Sequence, residues 1–182
     1  VPADLAWPLE PGSDLVVQLH MQPSGAVESV RPSIAFFFSD RPPSRTPTIL
    51  RLGSQGIDIA PGEAAHVIRD SYTLPVDVSL YGVYPHAHYL AKDMRGWATL
   101  PDGSERTLIH IPSWDFSWQQ EYFYAEPIAL PAGTLVRTRY VYDNSDANPF
   151  NPNHPPKPVK HGFQSSDEMA ELQLQVLASE WD

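Results

Sequence analysis

The chain has 182 residues, of which 42% are hydrophobic, so it is long enough to bury a sizeable core. Its formal net charge of −10 argues against nucleic-acid binding, and its lack of cysteine excludes disulfides, zinc–thiolate sites and cysteine nucleophiles. No apolar run approaches the roughly 20 residues of a membrane-spanning helix, so no membrane span is expected. Because the chain opens at Val1 rather than Met, we expect a processed protein or a piece of a longer one.

Short apolar runs separated by proline and glycine predict an all-β chain. The 20 prolines and 10 glycines are spread between these runs, and proline is poorly tolerated in helices and central strands. The predicted strands are 14–21, 33–39, 57–60, 66–74, 78–83, 89–100, 107–111, 135–142 and 172–177. A weak helical pattern occurs only at 165–171. We therefore predict a single domain over residues 1–182, folded as an antiparallel β-sandwich of jelly-roll type.

Turn residues mark the boundaries of several predicted strands. Strands are approached through Pro11-Gly12, Pro61-Gly62 and Pro131-Ala132-Gly133, and residues 101–104 are typical of a hairpin turn. The stretch 143–156 is rich in asparagine and proline, which predicts a long loop. Such a loop more often connects strands across the surface than carries function.

A His-x-His pair is the strongest functional signal in the sequence. Alternate residues of a strand point to the same face, so His86 and His88 would aim two imidazoles at one point. Neutral imidazole binds zinc, copper, iron and nickel, so the pair predicts a metal site without naming the metal. Spacing alone also allows two ordinary polar residues on a half-buried strand.

Three other groups of residues could have functional roles, but each, taken alone, is more often structural. Met169 lies among polar residues, and its thioether would suit Cu(I), although methionine commonly fills gaps in a core. His20 ends an alternating run in which Gln18 would share its face. The aromatic run that includes Trp114 and Trp118 could stack on sugar rings, or could simply be strand and core.

Taken together and in order, five segments resemble the C-terminal domain of the copper type II, ascorbate-dependent monooxygenases. This family includes peptidylglycine alpha-hydroxylating monooxygenase and dopamine beta-monooxygenase, and the likeness to uncharacterised bacterial relatives is closer. The resemblance covers residues 14–177 and depends on the ordered set rather than on one motif. The segments are 16–25, 85–92, 130–134, 142–145 and 167–169.

The resemblance implies a catalytic copper held by His86, His88 and Met169, with Met169 lying 169 − 88 = 81 residues beyond the second histidine. In the family this copper binds O2 and hydroxylates a C–H bond of a small-molecule substrate, with electrons from ascorbate or a similar reductant. The full-length enzymes hold two coppers, and the second belongs to an N-terminal domain. His20 would be a lone ligand of that second copper, so we expect a chain that lacks its N-terminal copper domain and cannot turn over alone.

Family habit also implies a secreted or periplasmic location. The substrate pocket does not carry over, because Tyr84, Glu171 and Gln173 stand where the peptide-hydroxylating member has its substrate-binding Arg, Asn and Tyr. Ala170 replaces the cysteine that follows the methionine ligand in the animal enzymes. The substrate of this chain is therefore expected to differ from a peptidylglycine.

Three alternatives remain open from the sequence. A cupin-like metalloenzyme needs a carboxylate ligand soon after the second histidine, where Ala91 and Lys92 stand instead. A non-catalytic β-sandwich module could bind carbohydrate or a partner through exposed Trp114 and Trp118. A degenerate member of the copper family could keep the metal for storage or electron transfer alone.

Overall fold

A computed structural model describes residues 6–19, 21, 24–40, 43 and 45–179. The chain divides into two compact units, residues 2–46 and residues 47–182. Within the described residues all regular structure is β-strand, and none forms a helix that could cross a membrane. The strands are β1 (Thr48–Gly53), β2 (Asp58–Ile59), β3 (His66–Thr73), β4 (Val78–Ala87), β5 (Ala91–Thr99), β6 (Glu105–Ile111), β7 (Tyr122–Leu130), β8 (Leu135–Tyr142), β9 (Val159–Lys160) and β10 (Ala170–Ala178).

Two four-stranded sheets build the second unit. One has the strand order β1-β10-β4-β7, the other has the order β3-β8-β5-β6, and β2 pairs with β9 in a short ribbon. Every pairing between these strands is antiparallel. The sheets pack so closely that a Cβ added at Gly96 of β5 would lie 2.6 Å from the Leu172 side chain of β10. The predicted antiparallel β-sandwich is confirmed, and its jelly-roll subtype stays a prediction.

Alternation along the central strands produces the core. In β8 the even-numbered residues from Val136 to Tyr142 are buried, and in β10 Ala170, Leu172, Leu174 and Val176 are buried. The residues between them are partly exposed on the outer faces of the two sheets. This period of two is the pattern expected for strands that pack one face on a core.

Most predicted strands of the second unit form, and the turn chemistry is confirmed. The prediction for 135–142 coincides with β8, whereas β1 and β7 were not predicted. Gly62 and Gly133 have φ angles of +82° and +81°, which explains glycine at those two turns. The hairpin at 101–104 closes with the Leu100 N–H donating to the Ser104 carbonyl oxygen at 2.9 Å.

Two strand predictions and the helix prediction are wrong. No strand forms over 14–19, 21 or 33–39, where Val16 is 84% exposed and Phe37 is 96% exposed. The first run alternates and the second is a continuous apolar stretch, but no strand pairs with either among the described residues, and an unpaired strand leaves its backbone groups unsatisfied. Residues 165–171 form a turn and the start of β10 rather than a helix, because Ala170 and Glu171 pair with β4.

The long loop at 143–156 is held by buried asparagines. The Asn144 side-chain amide donates to the carbonyl oxygens of Ala60 and Lys157 at 3.1 and 2.8 Å. The Asn151 amide in turn donates to the Asn144 side-chain oxygen at 3.0 Å. These bonds give the loop a structural role, as the sequence favoured.

Candidate metal centre

The register between β4 and β10 brings the predicted ligands to one place. Glu171 lies opposite His86 and Ala170 lies opposite Ala87, so the same register places Met169 opposite His88, just beyond the last pair. His88 immediately follows the end of β4 at Ala87, and Met169 immediately precedes the start of β10 at Ala170. Residues that are 81 positions apart in sequence are thus cross-strand neighbours.

His86 lies on the outer face of its sheet, and its ring is fixed by Gln119. The Nδ1 atom lies 2.7 Å from the Gln119 side-chain oxygen, while the Gln119 amide nitrogen donates to the Phe116 carbonyl at 2.8 Å. That second bond orients the amide, so the oxygen faces the imidazole and Nδ1 donates. Metal coordination by His86 would therefore use Nε2.

His88 is fixed in the same way by a backbone carbonyl. Its Nδ1 lies 3.0 Å from the Asp167 carbonyl oxygen, which can only accept, so Nδ1 carries the proton. The centres of the two imidazole rings are 5.2 Å apart and the rings are nearly perpendicular, at 83°. Two imidazoles on one ion, with metal–nitrogen distances of about 2.0–2.1 Å, would have centres roughly 5–6 Å apart, so the spacing fits a shared metal.

A buried carboxylate ties the two ligand-bearing segments together. Glu168 accepts hydrogen bonds from the backbone N–H groups of His88, Leu90 and Met169 at 2.9, 2.7 and 3.0 Å. Burial raises the pKa of Glu168 to about 8, although these backbone amides favour its charged form. Because its oxygens are taken up by backbone donors, Glu168 acts as an anchor rather than as a ligand.

The opposite sheet also holds the backbone of the site. The Tyr142 hydroxyl of β8 donates to the Met169 carbonyl oxygen at 2.8 Å, and the Tyr140 hydroxyl donates to the Glu171 carbonyl oxygen at 2.5 Å. The Trp114 indole donates to the His88 carbonyl oxygen at 3.1 Å. The backbone around the predicted ligands His88 and Met169 is therefore held by hydrogen bonds from inside the sandwich.

An open groove of about 350 Å³ lies against the methionine. Met169 forms part of its wall, together with Arg51, Phe163 and Glu171. Arg51 makes an exposed ion pair with Glu171, with Nε and Oε1 3.4 Å apart. A small molecule in this groove would lie next to the thioether of Met169.

The other predicted site residues have different outcomes. His20 lies outside the described residues. Trp114 is only 7% exposed and its indole donates to the His88 carbonyl oxygen, so the core interpretation holds for Trp114 and the alternative of an exposed carbohydrate platform there is wrong. Trp118 is 66% exposed, so that part of the binding-module alternative stays open.

Sequence reasoning missed the residues that orient the ligands. Gln119 lies 33 positions from His86, and no spacing rule links the two. Glu168 directly precedes Met169 in the sequence, and a carboxylate next to a predicted ligand could have indicated a residue that supports the site. Among the described residues, no group of three or more histidine, aspartate and glutamate side chains is arranged to hold a metal.

Comparison with known proteins adds no family. No protein-family model matches this chain, and no curated protein matches its sequence. Any function proposed for this chain therefore depends on its residues and their geometry.

Proposed function

We propose that this chain is the copper-binding domain of a monooxygenase. His86, His88 and Met169 would hold the copper, and the observation that carries this proposal is the β4–β10 register, which makes Met169 a neighbour of the histidine pair. A soft thioether beside two imidazoles favours Cu(I) over zinc or a hard cation. Two nitrogens and one sulfur also leave a coordination position open for a further ligand.

The copper, when bound, would supply O2 activation for hydroxylation of a C–H bond, with electrons from ascorbate or a similar reductant. The residues of this chain would prepare that chemistry. Gln119 and the Asp167 carbonyl hold the two rings in the tautomer that frees Nε2 for metal. Glu168 and Tyr142 hold the backbone on which Met169 is mounted.

Turnover would need a second copper as the source of the second electron. In the family that this chain resembles, that copper belongs to an N-terminal domain, with His20 as the matching ligand here. The proposal therefore includes a partner domain, a small-molecule substrate that reaches the groove beside Met169, and a secreted or periplasmic location. The isolated chain is expected to bind copper but not to hydroxylate a substrate with ascorbate at normal coupling.

The test is a Cu(I) titration of the chain against a competing chelator, combined with X-ray absorption at the copper edge. Wild type is expected to bind one equivalent at this site with two nitrogen ligands and one sulfur ligand. Met169→Ala should lose the sulfur signal and bind Cu(I) more weakly, because only the imidazoles remain. Met94→Leu is the matched control, since Met94 is fully buried in β5 and its thioether belongs to the core.

Histidine variants complete the test. His86→Ala should abolish tight binding, whereas His110→Ala should not, because His110 lies on the opposite sheet. Copper that binds without sulfur, or equally well to wild type and Met169→Ala, would overturn the proposal and restore the binding-module interpretation.

A further inference from the structure

A row of basic side chains crosses the outer face of the β3-β8-β5-β6 sheet. Arg69 of β3 lies opposite Arg139 of β8, which lies opposite Arg95 of β5. Arg95 in turn lies opposite His110 of β6. We call these four residues the arginine row. The three arginines share the outer face because they alternate with buried residues, among them Ile68, Met94 and Tyr140, and His110 joins them as the strand partner of Arg95.

The arginine row is short of acceptors. Like charges directly opposite each other on neighbouring strands are destabilising. Asp93 bonds Arg139 and His110 at 2.5 and 2.8 Å, but Arg69 has no hydrogen-bond or ion-pair partner among the described residues. The Nε of Arg139 is buried without a partner there. An unpaired guanidinium donor costs free energy unless an anion supplies the missing acceptor.

A second row, directly beside the first, adds a flat aromatic surface. Ser71, Arg137 and Trp97 are paired across β3, β8 and β5, two residues along each strand from the arginine row. Together with Arg69 they line an open groove of about 470 Å³. The Arg95 guanidinium lies 5.1 Å from the centre of the Trp97 ring, so the cations and the aromatic surface form one patch.

The charge of this patch is opposite to that of the whole chain. Four of the 12 lysines and arginines lie in it, against the three carboxylates of Asp70, Asp93 and Glu105, so the patch is net positive, while the chain carries a net charge of −10. The patch also lies across β8 and β5, which are central strands whose backbone groups are already paired. A ligand must therefore contact side chains on the sheet face and cannot add a strand there.

We propose that this face binds an acidic polysaccharide whose sugar rings carry carboxylates. Arginine matches carboxylate geometry with two parallel hydrogen bonds, and Trp97 offers an apolar surface to a sugar ring. The arginine row spans three strand spacings, or about 14 Å, which suits an extended polymer better than one small anion. The overall negative charge disfavours the much denser phosphate backbone of a nucleic acid.

The test is calorimetric titration of the chain with a galacturonate oligomer, with the methyl-esterified oligomer as the neutral probe. Saturable binding of the acidic oligomer is expected, weakening as salt rises, with no binding of the ester. Arg69→Gln and Trp97→Ala should each weaken binding about tenfold. Arg69 has no partner to lose among the described residues, so its variant is expected to fold normally.

Arg31→Gln is the matched control, because Arg31 is an exposed arginine that lies outside both sheets and outside both grooves. It should bind the oligomer like wild type. Equal weakening by Arg31→Gln and Arg69→Gln would overturn the site, because the attraction would then be general. Tighter binding of poly-aspartate than of the galacturonate oligomer would overturn the ligand class in favour of an acidic protein.

Discussion

The two outer faces of the sandwich depend on carboxylates in opposite ways. On the face of His86 and Met169, Glu168 is buried and accepts from backbone N–H groups, and burial raises its pKa to about 8. On the face of the arginine row, Asp93 is partly exposed and accepts from the side chains of Arg139 and His110. Burial alone would raise the pKa of Asp93. The hydrogen bonds and positive charges of His110 and Arg139 outweigh that effect, so the pKa of Asp93 lies below its ordinary value.

This difference separates a prepared site from a charged surface. Around His86 and His88, each Nδ1 has a defined acceptor and the backbone is braced from the opposite sheet. Under the proposed function, such a site would not need to rearrange in order to bind a metal. In the arginine row, guanidinium donors outnumber carboxylates, so the surface gains by binding an anion. The first face would therefore select its ligand by geometry, and the second would select its ligand by charge.

The largest effect is expected from Glu168→Gln. The substituted amide keeps the size of the side chain but turns one acceptor into a donor that faces backbone N–H groups. At about pH 9, where Glu168 is ionised because its pKa is about 8, we expect a loss of about 2–4 kcal/mol in the free energy of unfolding, measured with urea, together with weaker Cu(I) binding. Galacturonate binding by the folded variant should be unchanged.

Glu121→Gln is the control for that change, because Glu121 is exposed just before β7. It should unfold like wild type. If Glu168→Gln were as stable as Glu121→Gln, the buried carboxylate would not be the anchor of the ligand segments.

A smaller effect is expected from Gln119→Leu. Leucine removes the acceptor from His86 Nδ1, so the ring can rotate and exchange its proton between the two nitrogens. Cu(I) affinity, measured by chelator competition, should fall by about 10- to 100-fold with little change in unfolding free energy. The neighbouring Gln120 is exposed, and Gln120→Leu should keep the wild-type affinity. Equal affinities for these two variants would remove Gln119 from the site.

How far the sequence predicts these faces depends on how local the signal is. The His-x-His alternation is visible within three residues, and the bounds of β8 follow from a regular period of two. The role of Met169 as a ligand was predicted only from the family resemblance. Its position opposite His88 follows from the pairing of β4 with β10, which the sequence does not show. The bonds of Glu168 reach backbone groups about 80 residues away, and no side-chain pattern encodes them.

The arginine row is invisible in the sequence for the same reason. Arg69, Arg95 and Arg139 each stand on a different strand, and only the registers show that they form a row. The two wrong strand predictions show the converse. Val16 lies in an alternating run and Phe37 in a continuous apolar run, but neither run pairs with a described strand. Alternation says which face a residue would take, whereas pairing decides whether the strand exists.

The smallest effect is expected from Asp93→Asn, and its sign depends on pH. Because the pKa of Asp93 is lower in the folded chain than its ordinary value, its stabilising effect is present above about pH 4 and disappears as pH falls through the folded value. At pH 7 the variant should therefore be less stable than wild type by about 1 kcal/mol in urea unfolding. As pH falls through the folded pKa of Asp93, the two chains should approach equal stability, because wild-type Asp93 is then protonated as well.

Glu105→Gln removes an equal charge from the same face and serves as the control. Glu105 is exposed and lies 4.0 Å from Arg137, so its loss should change stability by less than the loss of Asp93. A deficit of Asp93→Asn that does not shrink as pH falls through the folded pKa of Asp93 would mean that the cost is one of packing rather than charge. The charge of Asp93 would then not stabilise the arginine row, and the description of this face as an electrostatic one would be wrong.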